Sequence, residues 1–213
     1  MRTVHRVISA AALTCLVGLG VTAPAYADDT PKLPIGQVVG LMTHVGSNPD
    51  KCLEIGDGRT DTNTKVHQGT CQRYLVSHAL YANQKWRLIA APGLSPDVWG
   101  FYHVQLQNLQ SGQCMTDSPD GLGAGLDLIV MSDCVTGLKS QRWLIQDWAN
   151  WYDHGWAFTM ENDQNSRGVR VQDDSAQDNA LIVGTTALAY ESLWVPVTDP
   201  APIDKQPCAI CHS

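Results

Sequence analysis

The sequence predicts an all-β fold built from three internal repeats with pseudo-threefold symmetry. Three observations carry that expectation. First, three segments align with one another, and they close on Trp86, Trp143 and Trp194, 57 and 51 residues apart; a recurring period of this size marks a repeat architecture. Second, two of the segments hold a cysteine pair at matching separation, Cys52 with Cys71 at 19 residues and Cys114 with Cys134 at 20. Third, short runs of period two alternate with clusters of Gly, Pro, Asn, Asp and Ser, and no amphipathic helix longer than two turns is legible.

The first repeat covers about residues 37–91. It reads Gly40-Leu-Met-Thr-His-Val-Gly-Ser47, then Lys51-Cys-Leu-Glu-Ile55, then Cys71, and it ends Asn83-Gln-Lys-Trp86. Gly46-Ser-Asn-Pro-Asp50 marks a turn between its first two strands. The second repeat covers about 98–148. Its Tyr102–Asn108 run alternates cleanly, Gln113-Cys-Met-Thr-Asp117 follows, Leu128-Ile-Val-Met131 reads as a buried strand, and Ser140-Gln-Arg-Trp143 closes it. The third covers about 154–197, with Trp156-Ala-Phe-Thr-Met-Glu-Asn162, Gly168-Val-Arg-Val-Gln172, Leu181–Ala187 and Glu191-Ser-Leu-Trp194. Aligned on the cysteines, its equivalent positions are Val169 and Ala187, neither of them cysteine. A pair absent together is what two intra-repeat disulfides predict. Each closes a loop of about 20 residues and contributes about 3 kcal/mol in the chain-entropy account, so the third repeat has to hold by packing.

Composition narrows the function. The 213 residues carry a net charge of −7 with 44% hydrophobic and 16% charged residues, and Trp (7) and Gly (18) are plentiful beside only 2 Phe. The acidic balance argues against electrostatic nucleic-acid binding. Arg2, His5 and Arg6, the apolar run Val7–Val21 and Ala25-Tyr-Ala27 predict a signal peptide over 1–27. A linker at 28–36 follows, and the expected location is secreted and extracellular. Removal of the signal peptide takes Cys15 and leaves six cysteines, an even number that suits a disulfide-bonded exported chain. No later segment reads as a membrane span. Residues 198–213 form a proline-rich tail ending Cys208-Ala-Ile-Cys211-His212. That spacing matches the c-type haem attachment motif, but the motif lacks a surrounding pocket-forming sequence. A local Cys208–Cys211 disulfide is the expectation, with no cofactor. No G-x-S-x-G, H-E-x-x-H or P-loop occurs, and a non-catalytic protein is expected.

Gln84-Lys-Trp86 and Gln141-Arg-Trp143, with Ser192-Leu-Trp194 as a degenerate third copy, resemble the Q-x-W signature of the ricin B-type lectin family. Cys52-Leu-Glu54 and Cys114-Met-Thr116 resemble that family's Cys-Leu-Asp opening. The resemblance covers about residues 37–197. It implies a β-trefoil, with six strands closing a short barrel and six forming a cap. It also implies one sugar site per repeat, made of a carboxylate two residues after the first cysteine position, an aromatic two residues before the second, and an asparagine before Q-x-W. Repeat one supplies Glu54, Gly69 and Asn83, with His67, Tyr74 and Tyr81 as nearby substitutes for the aromatic. Repeat two supplies Thr116, Ser132 and Ser140. Repeat three supplies Arg170, Thr185 and Glu191. The expectation is a monomeric lectin-like protein that binds a glycan or polysaccharide weakly, mainly through Glu54 and Asn83. The alternative is a protein-interaction module without sugar affinity, using an aromatic patch drawn from Trp99, Phe101, Trp148, Trp151, Tyr152 and Trp156.

Overall fold

The structure, a computed structural model, describes residues 33–43, 51–56, 59–72, 79–92, 102–123, 125–151, 155–186 and 193–198. The expected signal peptide, the tail with Cys208 and Cys211, and Tyr74, Trp99, Phe101, Tyr152, Ala187, Tyr190, Glu191 and Ser192 lie outside those residues, as do the side chains of Trp148 and Trp151.

Each repeat contributes four strands. The first holds β1 (Val38–Thr43), β2 (Lys51–Ile55), β3 (Val66–Thr70) and β4 (Trp86–Ala90). The second holds β5 (Tyr102–Asn108), β6 (Cys114–Gly123), β7 (Leu126–Ser132) and β8 (Trp143–Trp151). The third holds β9 (Gly155–Asn162), β10 (Gly168–Val171), β11 (Ile182–Thr185) and β12 (Trp194–Thr198). All pairings are antiparallel. Within each repeat the first strand pairs with the fourth, as β1–β4, β5–β8 and β9–β12. Between repeats β4 pairs with β5, β8 with β9, and β12 returns to β1. These six contacts close a six-stranded barrel and leave it no free edge.

The second and third strands of each repeat form the hairpins β2–β3, β6–β7 and β10–β11. The hairpins meet one another at Lys65 opposite Val130, Val183 opposite Leu128, and His67 opposite Leu181. They make the cap. The fold is the all-β, threefold β-trefoil that the repeats predict.

The symmetry is visible in single residue pairs. Trp86 stands opposite Asn108, Trp143 opposite Asn162, and Trp194 opposite Thr43. All three tryptophans are almost wholly buried in one core with Leu53, Ile55, Met115, Ile129, Phe158, Val169 and Val171. A buried indole N–H needs an acceptor, and each finds one: Trp86 donates to the Leu53 carbonyl at 2.9 Å, Trp143 to that of Met115 at 3.2 Å, and Trp194 to that of Val169 at 3.2 Å.

That last contact corrects the expected register. Val169 is the counterpart of Leu53 and Met115, so Gly168, not Val169, stands where Cys52 and Cys114 stand; Gly168 lies opposite Thr185 as Cys52 lies opposite Gly69 and Cys114 opposite Ser132. Counting cysteines placed the equivalence one residue late because no cysteine in repeat three anchors it. The disulfides Cys52–Cys71 and Cys114–Cys134 are both formed, as expected.

Candidate functional site

The first cap hairpin and the turn before Trp86 bring Glu54 and Asn83 together. Glu54 lies on β2 opposite His67 on β3. The Cys52–Cys71 bridge draws the segment after β3 against the start of β2. A single 3-10 turn, Ala82–Gln84, then delivers Asn83 and Gln84 to the same place.

Gln84 is fully buried and uses its whole amide. Its Oε1 accepts from the Gln72 N–H at 2.7 Å, while its Nε2 donates to the Thr70 carbonyl at 2.8 Å and to Glu54 Oε2 at 2.6 Å. The last is a charge-assisted bond and the strongest in the set. Asn83 Nδ2 reaches the same Oε2 more loosely, at 3.4 Å. On the other side His67 Nδ1 stands 3.5 Å from Glu54 Oε1.

Glu54 is only 8% exposed, so its carboxylate is presented along one edge and not projected into solvent. The position expected to carry an aromatic is Gly69. A Cβ built there would overlap the Glu54 carboxylate, which fills that space itself. His67 is 7% exposed and beside the carboxylate. Tyr81, half-buried, immediately precedes the turn that carries Asn83.

The equivalent place in repeat two is neutral. Gln141 there accepts from the Val135 N–H at 2.8 Å and donates to the Asp133 carbonyl at 2.8 Å, to Ser132 Oγ at 2.8 Å and to Thr116 Oγ1 at 3.1 Å. Its backbone role copies that of Gln84, with two hydroxyls in place of a carboxylate. In repeat three the position holds Arg170, whose Nη1 lies 3.8 Å from Asp174 Oδ1. One scaffold therefore presents a carboxylate, a hydroxyl pair and a guanidinium at its three related sites.

Asparagines pin the turns that carry two of these sites. Asn108 Nδ2 donates to the Asn83 carbonyl at 2.9 Å, and Asn162 Nδ2 to the Ser140 carbonyl at 3.1 Å. Neither was legible as a site-positioning residue, because each comes from the repeat after the one it serves. Thr43, opposite Trp194, takes the third position and donates to Gln68 Oε1 at 3.0 Å.

Beside the first site, Lys51 is nearly buried and bonds Asp178 Oδ1 at 2.6 Å and Thr70 Oγ1 at 3.0 Å. That hydrogen bond from Lys51 holds the Asp178 carboxyl below the usual aspartate range.

Of the expected aromatic patch, Trp156 is half-buried on β9. Among the described residues no group of three or more His, Cys, Asp or Glu side chains is placed to hold a metal ion, and no helix is long and apolar enough to cross a membrane.

No protein-family model matches the sequence, and no curated protein matches it. Solved structures do. The chain is similar to the Rhizoctonia solani agglutinin at 18% identity over 79% of this chain and 99% of that one, with a TM-score of 0.58. It is similar to the designed threefold-symmetric protein ThreeFoil at 17% identity over 76% and 98%, TM-score 0.57. It is also similar to part of 1,3Gal43A, an exo-β-1,3-galactanase from Clostridium thermocellum, at 19% identity, with 78% of this chain against 31% of the enzyme and a TM-score of 0.56. At these identities the likeness is one of fold, and the fold shared is the β-trefoil.

Proposed function

We propose that the protein is a secreted, monomeric, non-catalytic β-trefoil of ricin B-like type that binds a glycan weakly through repeat one. One observation carries this reading: Glu54 and Asn83 converge there, with the carboxylate oriented by the 2.6 Å bond from Gln84. A fixed carboxylate accepts paired hydrogen bonds from vicinal sugar hydroxyls, and an asparagine amide adds a donor and an acceptor beside it. The other two repeats lack the carboxylate, and a single site without an aromatic platform accounts for weak affinity. The two disulfides suit an oxidising, extracellular setting. Similarity to a protein named as an agglutinin supports the lectin class, and similarity to part of a β-1,3-galactanase recommends galactans as ligands to try.

The test is a glycan array that includes β-1,3-galactan, read with wild type, Asn83→Ala and Glu54→Gln. Binding by wild type that falls at least tenfold in both variants supports the reading. Binding that neither variant weakens moves the site elsewhere. Failure to bind any glycan favours the protein-interaction module.

A further inference from the structure

The two disulfides hold equivalent places in their repeats and are covered differently. In each, the first cysteine is wholly buried near the start of a cap strand, Cys52 on β2 and Cys114 on β6. The second follows the partner strand, Cys71 after β3 and Cys134 after β7. Cys71 is half-buried in an apolar cluster with Cys52, Leu80, Val197 and Met42. Cys134 is exposed, and so is every residue from 133 to 139.

The sequence gives the reason. The 3-10 turn Ala82–Gln84 corresponds to Lys139–Gln141, so Leu80 corresponds to Gly137. Leu80 is 2% exposed and packs on the first bridge, whereas Gly137 has no side chain with which to cover the second. Its left-handed backbone, at φ 81°, suits glycine and not leucine. Twelve residues separate Cys71 from Gln84 and six separate Cys134 from Gln141, so the second connection has less chain to fold back over its bridge. On β1, Gly40 leaves its side-chain space to Leu80 and Val197. Gln105, three residues before Asn108 as Gly40 is three before Thr43, instead donates to the Val135 carbonyl at 3.1 Å.

What surrounds the second bridge suits a free cysteine. Cys134 Sγ lies 3.5 Å from the Gly112 carbonyl oxygen. Gln107 Nε2 donates to that carbonyl at 2.8 Å and stands 3.8 Å from the same sulfur. An acceptor for an S–H and a donor for a thiolate are therefore both in place. Gln141 ties the chain on either side of Cys134, at the Asp133 carbonyl and the Val135 N–H, each at 2.8 Å. These bonds do not depend on the disulfide and hold Cys134 in position when it opens.

We propose that Cys134 is a thiol-exchange site, at which an incoming dithiol opens the Cys114–Cys134 bridge while Cys52–Cys71 stays closed. Exchange needs a thiolate to reach one sulfur of the bridge, and access sets which sulfur is attacked. The thiolate of the dithiol bonds to Cys134 Sγ, and the S–S bond breaks with its electron pair going to Cys114 Sγ, which takes up a proton. The second thiol of the reagent, deprotonated, then bonds to the first reagent sulfur and releases Cys134 as a thiolate, which Gln107 faces and a proton neutralises. The dithiol is oxidised to a disulfide and the bridge is reduced to two thiols. Only repeat two loses its closure; repeat one, with Glu54 and Asn83, keeps its own.

The test uses the full chain under native conditions. Wild type is exposed to limiting dithiothreitol at neutral pH, quenched in acid and alkylated after denaturation. Peptide mass mapping then reads each cysteine, with Cys208 and Cys211 scored apart. Cys114 and Cys134 are expected to become alkylated about tenfold faster than Cys52 and Cys71. Equal rates at the two bridges, or earlier opening of Cys52–Cys71, overturn the proposal. A second measurement tests the direction of attack, with Cys114→Ser and Cys134→Ser each incubated with oxidised glutathione. Cys134 in the first variant is expected to take up glutathione about tenfold faster than Cys114 in the second. An equal or reversed order overturns the assignment to Cys134.

Discussion

Gln84 Nε2 donates to Glu54 Oε2 at 2.6 Å, and the carboxylate so held lies over Gly69 on the neighbouring strand. The glutamine of the repeat signature, the acid of the candidate site and the glycine at the absent aromatic position are therefore one mechanical unit. Gly69 is small because Glu54 occupies its side-chain space. Glu54 stays there because Gln84, itself tied to the backbone of Thr70 and Gln72, gives it no easy alternative.

This unit predicts a non-additive pair of mutations. Gly69→Ala is expected to cost about 1–3 kcal/mol, since the carboxylate must leave Gln84 with a buried donor unsatisfied. In a Glu54→Ala background the same substitution is expected to be nearly neutral. A double-mutant cycle by urea denaturation measures the coupling. Equal costs in the two backgrounds would show that Glu54 does not fill the space over Gly69.

The repeats are expected to differ in what holds them. Cys114→Ala with Cys134→Ala removes a 20-residue closure and is expected to cost about 3 kcal/mol. Trp143→Ala and Trp194→Ala, each buried and each losing an indole bond, are expected to cost about 3–5 kcal/mol. Because repeat three has Gly168 in place of the first cysteine, reducing agent is expected to deepen the Trp143→Ala defect more than it deepens the Trp194→Ala defect. Thermal unfolding with and without dithiothreitol tests this.

Asp178 and Asp117 are expected to act on acid stability with opposite signs. The Lys51 bond lowers the Asp178 carboxyl. Its contribution is present above the ordinary aspartate value and is lost as pH falls through the depressed one. The Asp178 side chain is half exposed, so solvent screening keeps the effect small. Asp117 acts the other way: burial first, and then repulsion by Asp127, push its carboxyl up to about 6, so it adds stability as pH falls through that value. Urea midpoints from pH 3 to 7 are expected to show a flatter acid limb in Asp178→Asn and the loss of the gain below pH 6 in Asp117→Asn. An Asp178→Asn curve parallel to wild type would show that the Lys51 contact does not bias its ionisation.

Much of this was readable from one chain. Trp86, Trp143 and Trp194 announce the repeats because each must fill the same place around the axis. Cys52–Cys71 and Cys114–Cys134 are recoverable because a disulfide within one repeat leaves its spacing in the sequence. Glu54 and Asn83 could be named from the motif. That Glu54 would be nearly buried and folded over Gly69 could not, since side-chain direction depends on β3 and the 82–84 turn arriving together. The one-residue error at Val169 has the same origin. Without a cysteine pair the alignment floats, and the Trp194 bond to the Val169 carbonyl sets it.

The sequence by itself determined the all-β class, the number of repeats and the closures Cys52–Cys71 and Cys114–Cys134, because those follow from local periodicity and short-range spacing. Tertiary structure alone decided the contacts that cross between repeats. Closing the barrel sets Thr43 opposite Trp194, in the place asparagine holds elsewhere. It delivers Asn108 to the turn of the repeat before it, and it sets Asn165 against a carboxylate 48 residues away. Such residues lie far apart along the chain and share no motif. Their chemistry is created by burial and by the loss of solvent, which no local pattern records.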